Sequence, residues 1–314
     1  MRLTTMALAV TWLGACQSDE IRMSHMSTLQ EQTRGVVVMD HGLRIQAAMQ
    51  DTTCIFRTLD GGFIRDHDLP TNDERIVDTY DGEILGASAQ GIHLVNRGED
   101  VAITEVVDAR LWSGGVVSLH ETVEGCTVSW NRDEHISVPQ ELCDAPAITA
   151  DPRDGTLFVG LPGETSRIDR DGLASFDSGA DLVSWDRATQ LVYMAVSGER
   201  TVWATDINGV PAWSATTPAP VTALTHMGDR GLVLLMLDAG EGEGRFYILD
   251  GETGSLNSEH DAPGSEVEID LSQDGTTLAV TLETEVHFFD ITAGGEEPKE
   301  RDTVGSAPDP IMVD

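Results

Sequence analysis

Seven copies of one strand-ending motif recur along the chain at intervals of roughly forty residues, short Val-, Ile- and Leu-rich runs precede most copies, and helical periodicity is nearly absent. Together these predict an all-β chain folded as a seven-bladed β-propeller of four-stranded antiparallel blades. The motif is an apolar strand that ends in Asp or Asn and is followed closely by Gly or another turn residue. Its acidic or amide residue falls at Asp60, Asn96, Asn131, Asp169, Asp206, Asp250 and Asp290, advancing by 36, 35, 38, 37, 44 and 40 residues. Asp and Asn side chains accept hydrogen bonds from the amides just ahead, and Gly takes the positive-φ position that closes a hairpin. Each copy thus reads as strand, turn, strand.

The second set of strands lies upstream of these copies, at 44–49, 83–88, 116–119, 156–160, 191–196, 232–237 and 277–282. These runs are short, branched and bounded by Gly or Asp, the pattern of strands buried on both faces. The blades are read at 35–75, 76–105, 106–146, 147–180, 181–220, 221–264 and 265–306. One blade cannot bury its apolar faces by itself, whereas a closed ring buries each against its neighbours. A lone β-sandwich of this length is the structural alternative, and it would not carry one motif at a steady interval. For closure of the ring, Pro310–Asp314 reads as the start of a blade strand that pairs with the N-terminal segment.

Several turns carry a further resemblance. Asp151-Pro-Arg-Asp-Gly155 and Ser272-Gln-Asp-Gly275 resemble the Ser-Pro-Asp-Gly turn of bacterial propeller repeats, of the WD40-like, YVTN type. Leu191–Val196, with Val202–Trp213 after it, resembles the quinoprotein-like repeat, in which a strand, an Asp-containing turn and a Trp follow in order. The resemblance spans about residues 35 to 305 as degenerate copies and bears on architecture more than on function. Quinone-dependent dehydrogenases share it, yet are usually much longer and carry recognisable cofactor contacts that this sequence lacks.

The N-terminus has its own signature. Met1 and Arg2 lead an apolar run, Leu3 to Leu13, too short to span a bilayer as a helix and ending in Leu13-Gly14-Ala15-Cys16. That tetrapeptide resembles the lipobox of bacterial lipoproteins, which implies cleavage before Cys16 and attachment of diacylglycerol to its thiol. The expected division is a lipoprotein signal peptide at 1–15, a lipidated N-terminus and flexible tether at 16–34, and the propeller at 35–314. Buried methylenes contribute about 0.8 kcal/mol each, so several acyl chains would hold the chain on a lipid bilayer without a transmembrane helix. In that family an aspartate after the cysteine favours inner-membrane retention. Gln17 stands there, which implies the outer membrane of the cell envelope.

With 54 acidic against 19 basic residues the formal net charge is −35, and Lys299 is the one lysine. Such a field repels nucleic acid, which needs cationic groups to displace its counterions, and DNA or RNA binding is excluded. The acidity reads as a solvated carboxylate surface. Binding of a divalent cation such as calcium is the sharper alternative, although no complete Asp-x-Asp-x-Asp-Gly loop is present.

Of four cysteines, Cys16 is the expected lipid site and Cys126 with Cys143 the candidate disulfide. The latter two flank a predicted hairpin, Thr127–Trp130 followed by His135–Val138, in a chain expected to be exported to where disulfides persist. Cys54 is then expected to be a buried small apolar residue. The nine histidines, His25, His41, His67, His93, His120, His135, His226, His260 and His287, are scattered singly. No Gly-x-Ser-x-Gly elbow, His-Glu-x-x-His pair or Walker glycine loop occurs. No catalytic residue, metal ligand or cofactor is therefore assigned, and Trp112, Trp130, Trp185, Trp203 and Trp213 are read as blade packing. The expected function is a membrane-anchored, non-catalytic scaffold for a protein or glycan partner in the envelope. The alternative is a propeller enzyme of the lactonase or hydrolase kind, with a cation in the central channel.

Overall fold

The computed structural model describes residues 20–293, leaving out 31–35, 40–44, 51–52, 59–62, 69–74, 81–82, 89–90, 95–98, 102–104, 132–133 and 283–284 and the single positions 124, 146, 177, 266 and 273. Between residues 29 and 76 only the backbone of the strands is described.

After a first strand, β1 (Ile21–Gln30), the strands come in consecutive fours. Blade I holds β2 (Val36–Met39), β3 (Ile45–Gln50), β4 (Thr53–Thr58) and β5 (Phe63–Asp68), and blade II holds β6 (Arg75–Tyr80), β7 (Glu83–Ser88), β8 (Gly91–Leu94) and β9 (Glu99–Val101). Blade III holds β10 (Val106–Trp112), β11 (Gly115–Thr122), β12 (Gly125–Trp130) and β13 (Glu134–Val138). Blade IV comprises β14 (Ala147–Ala150), β15 (Leu157–Leu161), β16 (Glu164–Asp169) and β17 (Gly172–Phe176). Blade V comprises β18 (Leu182–Asp186), β19 (Leu191–Ala195), β20 (Thr201–Asp206) and β21 (Pro211–Thr216). Blade VI comprises β22 (Val221–His226), β23 (Leu232–Gly240), β24 (Glu243–Asp250) and β25 (Leu256–Ala262). The chain then forms β26 (Glu268–Leu271), β27 (Thr277–Thr281) and β28 (Glu285–Ala293).

Six blades, not seven, are therefore continuous in sequence, which corrects the expectation of a seven-bladed ring made of seven self-contained repeats. The remaining sheet is composite, ordered β1-β28-β27-β26, with the N-terminal strand as its outermost member. The last motif copy fails as a turn. Strand β28 runs through Asp290 to Ala293, and Asp290 sits between Ser24 and Thr277 in the ladder. An uncovered outer edge would expose a row of unpaired amides and carbonyls. Ile21–Gln30 covers that edge in antiparallel register, Ile21 opposite Ala293 and Gln30 opposite Glu285. The same pairing corrects the reading of 16–34 as a flexible tether throughout. It also replaces the closure assigned to Pro310–Asp314, which lie outside the described residues.

The first strands of successive sheets, β2, β6, β10, β14, β18, β22 and β26, each touch the next, and β26 touches β2. They form the inner wall of a closed ring. The core is correspondingly radial, lying between sheets. Val117, Val128 and Trp130 of blade III meet Ile148, Leu157 and Val159 of blade IV, while Leu234, Met236 and Phe246 of blade VI meet Leu278, Val280 and Phe289 of the composite sheet. Second strands are deeply buried, as in Val192 to Ala195 and Val233 to Leu237, all without exposed surface. Each such Leu, Val or Met contributes roughly 1.5–3 kcal/mol of burial.

Alternation of strand direction gives the ring two distinct faces. Turns from first to second and from third to fourth strand lie on one, here the turn face. Turns from second to third strand and the links between blades lie on the other, the connector face.

Candidate functional site

The turn face is built from the residues that the repeat motif marks. Asp169 Oδ1 accepts from the amides of Asp171 (2.9 Å) and Gly172 (3.2 Å), Asp206 Oδ1 from those of Asn208 and Val210 (both 2.8 Å), and Asp250 Oδ1 from the Thr253 amide (2.9 Å). The other turns of this face repeat the device. Asp151 Oδ1 accepts from the Arg153 amide (2.9 Å), and Ser272 Oγ from those of Thr276 (3.2 Å) and Thr277 (2.9 Å). Gly155 (φ +75°) closes the first of these turns, and any Cβ there would press on Trp130, 2.9 Å away. Asn131 departs from the pattern: its Oδ1 receives the Val116 amide (2.9 Å) and its Nδ2 donates to Gly114 O (3.0 Å), tying one turn to its neighbour.

Asp186 replaces the glycine turn of blade V with a buried network. Its Oδ1 accepts from the Ala188 amide (2.8 Å), and its Oδ2 accepts from Thr189 Oγ1 and Tyr193 OH (both 2.9 Å). Burial, followed by the negative charge of Asp186, pushes the Tyr193 phenol far above its ordinary pKa, so it remains a donor.

In six of the seven sheets the inner wall carries one polar residue at a matching register position. Asp78, Arg110, Thr149, Ser184, Thr225 and Asp270 lie opposite Leu85, Val117, Phe158, Tyr193, Leu234 and Ala279 of their second strands. Several bridge to the next blade. The Leu111 amide donates to Asp78 Oδ2 (2.6 Å), Arg110 Nη2 to Ile148 O (2.8 Å), the Trp185 amide to Thr149 Oγ1 (3.3 Å) and the His226 amide to Ser184 Oγ (3.0 Å). Burial lowers the Arg110 pKa, but the Asp108 and Asp78 carboxylates more than offset this and hold the guanidinium charged. Asp78, Arg110, Arg187, His226 and Asp270 line a central cavity of about 240 Å³. Among the described residues no three His, Cys, Asp or Glu side chains come together as metal ligands, there or elsewhere. A second cavity of about 570 Å³ lies between β1 and β25 on the outer edge, bordered by His25, Arg245, Glu259, His260 and Phe289.

The residues singled out in the sequence fall as follows. Cys126 and Cys143 form a disulfide, Cα to Cα 5.7 Å. Cys143 is not on the hairpin strand, where Val138 is the register partner of Cys126; it lies in the 3-10 turn Gln140–Asp144 that folds back beneath it. Cys16 lies outside the described residues, and for Cys54 the backbone is described, in β4. Trp130 and Trp185 are buried in the interblade core, and Trp130 Nε1 donates to Gly155 O (2.8 Å) across the blade III–IV boundary. Sequence reading missed Arg170, which lies over the rings of Trp112 and Trp130, 4.7 and 5.4 Å from their centroids, and pairs with Glu134. It also missed the inner girdle, for which the available signal was a polar residue in the first strand of blades II to VI and of the composite sheet.

A closed ring of four-stranded antiparallel sheets with a radial core defines a β-propeller. No protein-family model matches the chain, and no curated protein matches it significantly. Solved structures do. A chain of the mitotic checkpoint complex superposes with a TM-score of 0.65 at 11% identity, over 92% of this chain and 98% of that one. The β-propeller domain of Cps50 (Swd1) from Myceliophteria thermophila gives 0.64 at 14% identity, over 86% and 100%. A streptogramin B lyase gives 0.65 at 12%, over 87% and 98%. At these identities the likeness shows the fold, which serves binding partners and enzymes alike.

Proposed function

We propose that the chain is a non-catalytic binding platform for a protein or glycan partner, exported and held on the envelope, at the outer membrane, by lipid on Cys16. The observation that carries this reading is the engagement of the inner-wall polar groups. Asp78, Arg110, Thr149 and Ser184 hydrogen-bond from blade to blade, so their chemistry is used in holding the ring together. The turns, by contrast, are stiffened by their own Asp and Ser side chains, which leaves a pre-ordered surface whose docking loses little conformational entropy. Leu13-Gly14-Ala15-Cys16 supports the anchor, and the Cys126–Cys143 disulfide suits an oxidising compartment.

The test is purification of the lipidated chain from crosslinked, detergent-solubilised envelopes, with metal analysis and a lactone and ester hydrolysis screen on the same sample. A reproducible partner on an ion-free, inactive chain is the expected result. A stoichiometric divalent ion together with hydrolysis would overturn it in favour of the propeller enzyme.

A further inference from the structure

The place where the chain enters the ring fixes more than its closure. Ile21 pairs with Ala293 at the end of β28, so β1 begins on the turn face. It is fastened there to blade VI: the Ile21 amide donates to Asn257 Oδ1 (2.9 Å), and His260 Nε2 lies 3.1 Å from Ile21 O. Five residue steps separate Cys16 from Ile21, at most about 17 Å of fully extended chain. A lipid on Cys16 therefore keeps this rim within reach of the headgroups, where a long tether would have released it.

The same rim is apolar. Leu173 of blade IV (40% exposed), Ile207 and Val210 of blade V (36% and 59%) and Leu256 of blade VI (51%) all stand in or beside a turn from third to fourth strand. Consecutive contacts make one arc of them. Arg167 of blade IV donates to Ile207 O (3.2 Å), Trp213 Nε1 of blade V to Gly251 O (2.7 Å), and blade VI continues through Asn257 to Ile21. The charges of the two faces differ in degree. Arg153, Arg170, Arg187 and Arg230 occupy turns of this face beside the exposed Glu134, Asp154, Asp171, Glu252 and Asp274, while its Asp169, Asp206 and Asp250 point into turn amides. The connector face carries Glu105, Glu121, Glu141, Glu164, Glu199 and Glu241 against Arg200.

We propose that the turn face from blade IV to the composite sheet rests on the bilayer, with Leu173, Ile207, Val210 and Leu256 in the headgroup boundary and the acidic connector face toward water. This rests on the lipid anchor at Cys16 proposed above. Exposed apolar patches rimmed by polar residues mark interaction surfaces, and partial insertion beside an acyl anchor adds buried apolar area to the attachment and fixes its orientation. Val123, fully exposed on the connector face, has no such neighbours among the described residues and serves as the control.

The experiment uses the full lipidated chain carrying Cys54→Ala, with a bimane label on Val210→Cys, Leu256→Cys or Val123→Cys in turn. Each is reconstituted in phosphatidylethanolamine–phosphatidylcholine vesicles containing a nitroxide-labelled lipid. Labels at 210 and 256 are expected to be quenched severalfold more strongly than the label at 123. Equal quenching at all three positions, or stronger quenching at 123, with lipid on Cys16 verified by mass spectrometry, would overturn the orientation and leave the anchor standing. An unmodified Cys16 would overturn the anchor and the orientation with it.

Discussion

Breaking the Cys126–Cys143 bridge tests how blade III is tied to its return loop. The disulfide joins positions 17 residues apart, and both cysteines are buried, 1% and 5% exposed, beside Val138, Leu142 and Ile148. Closing a loop of that length lowers the entropy of the unfolded chain enough to stabilise the fold by about 3 kcal/mol. Against a total of about 5–15 kcal/mol for an ordinary domain, that is a large share. The perturbation is the pair Cys126→Ala and Cys143→Ala, alanine being chosen so that no hydroxyl is buried among apolar side chains. Urea unfolding of the variant, and of wild type with and without dithiothreitol, should show a loss of about 3 kcal/mol, or about 6–12 °C in Tm. Coincidence of oxidised and reduced wild type within about 0.5 kcal/mol would refute the reasoning, since that is the scatter of substitutions that touch nothing.

Tyr193→Phe keeps the ring in place but takes one donor from the fully buried Asp186, and should cost about 1–3 kcal/mol in urea unfolding; an unchanged midpoint would show that Thr189 and the Ala188 amide suffice. Burial, then the nearby His135, lowers the His120 pKa below its ordinary 6.5. The unfolded chain then binds the extra proton first, so this contribution is present above about pH 6.5 and is lost as pH falls through that value toward the folded pKa. His120→Gln should flatten that limb of the stability–pH curve, measured by urea titration between neutral and mildly acidic pH; an identical slope in both proteins refutes it.

Much of the ring was legible because its determinants are local. A buried second strand must be apolar on both faces, and a turn that must satisfy its own amides selects Asp, Asn, Ser and Gly, so Asp169, Asp206 and Asp250 announced their hairpins in the sequence. Asp290 carries the same letters without making a turn, because what lies opposite it is a strand from the other end of the chain. Polar patterning of 17–33 read as a tether for the same reason. In β1 the apolar alternation is confined to Ile21 and Met23, which pack on the core beside blade VI, too short a run to have marked the strand.

Local chemistry in the sequence thus determined an all-β chain of repeated hairpins, the boundaries of its six continuous blades to within a few residues, and the pairing of Cys126 with Cys143. Tertiary structure decided what depends on residues far apart in the chain. The N-terminal strand completes the final sheet, Asp78, Arg110, Thr149 and Ser184 bind neighbouring blades to one another, and Leu173, Val210 and Leu256 gather on the rim where the chain enters. Hydrogen bonding and burial set the first group within a few residues of each position, whereas the second follows from closing a circle, which no window of sequence contains.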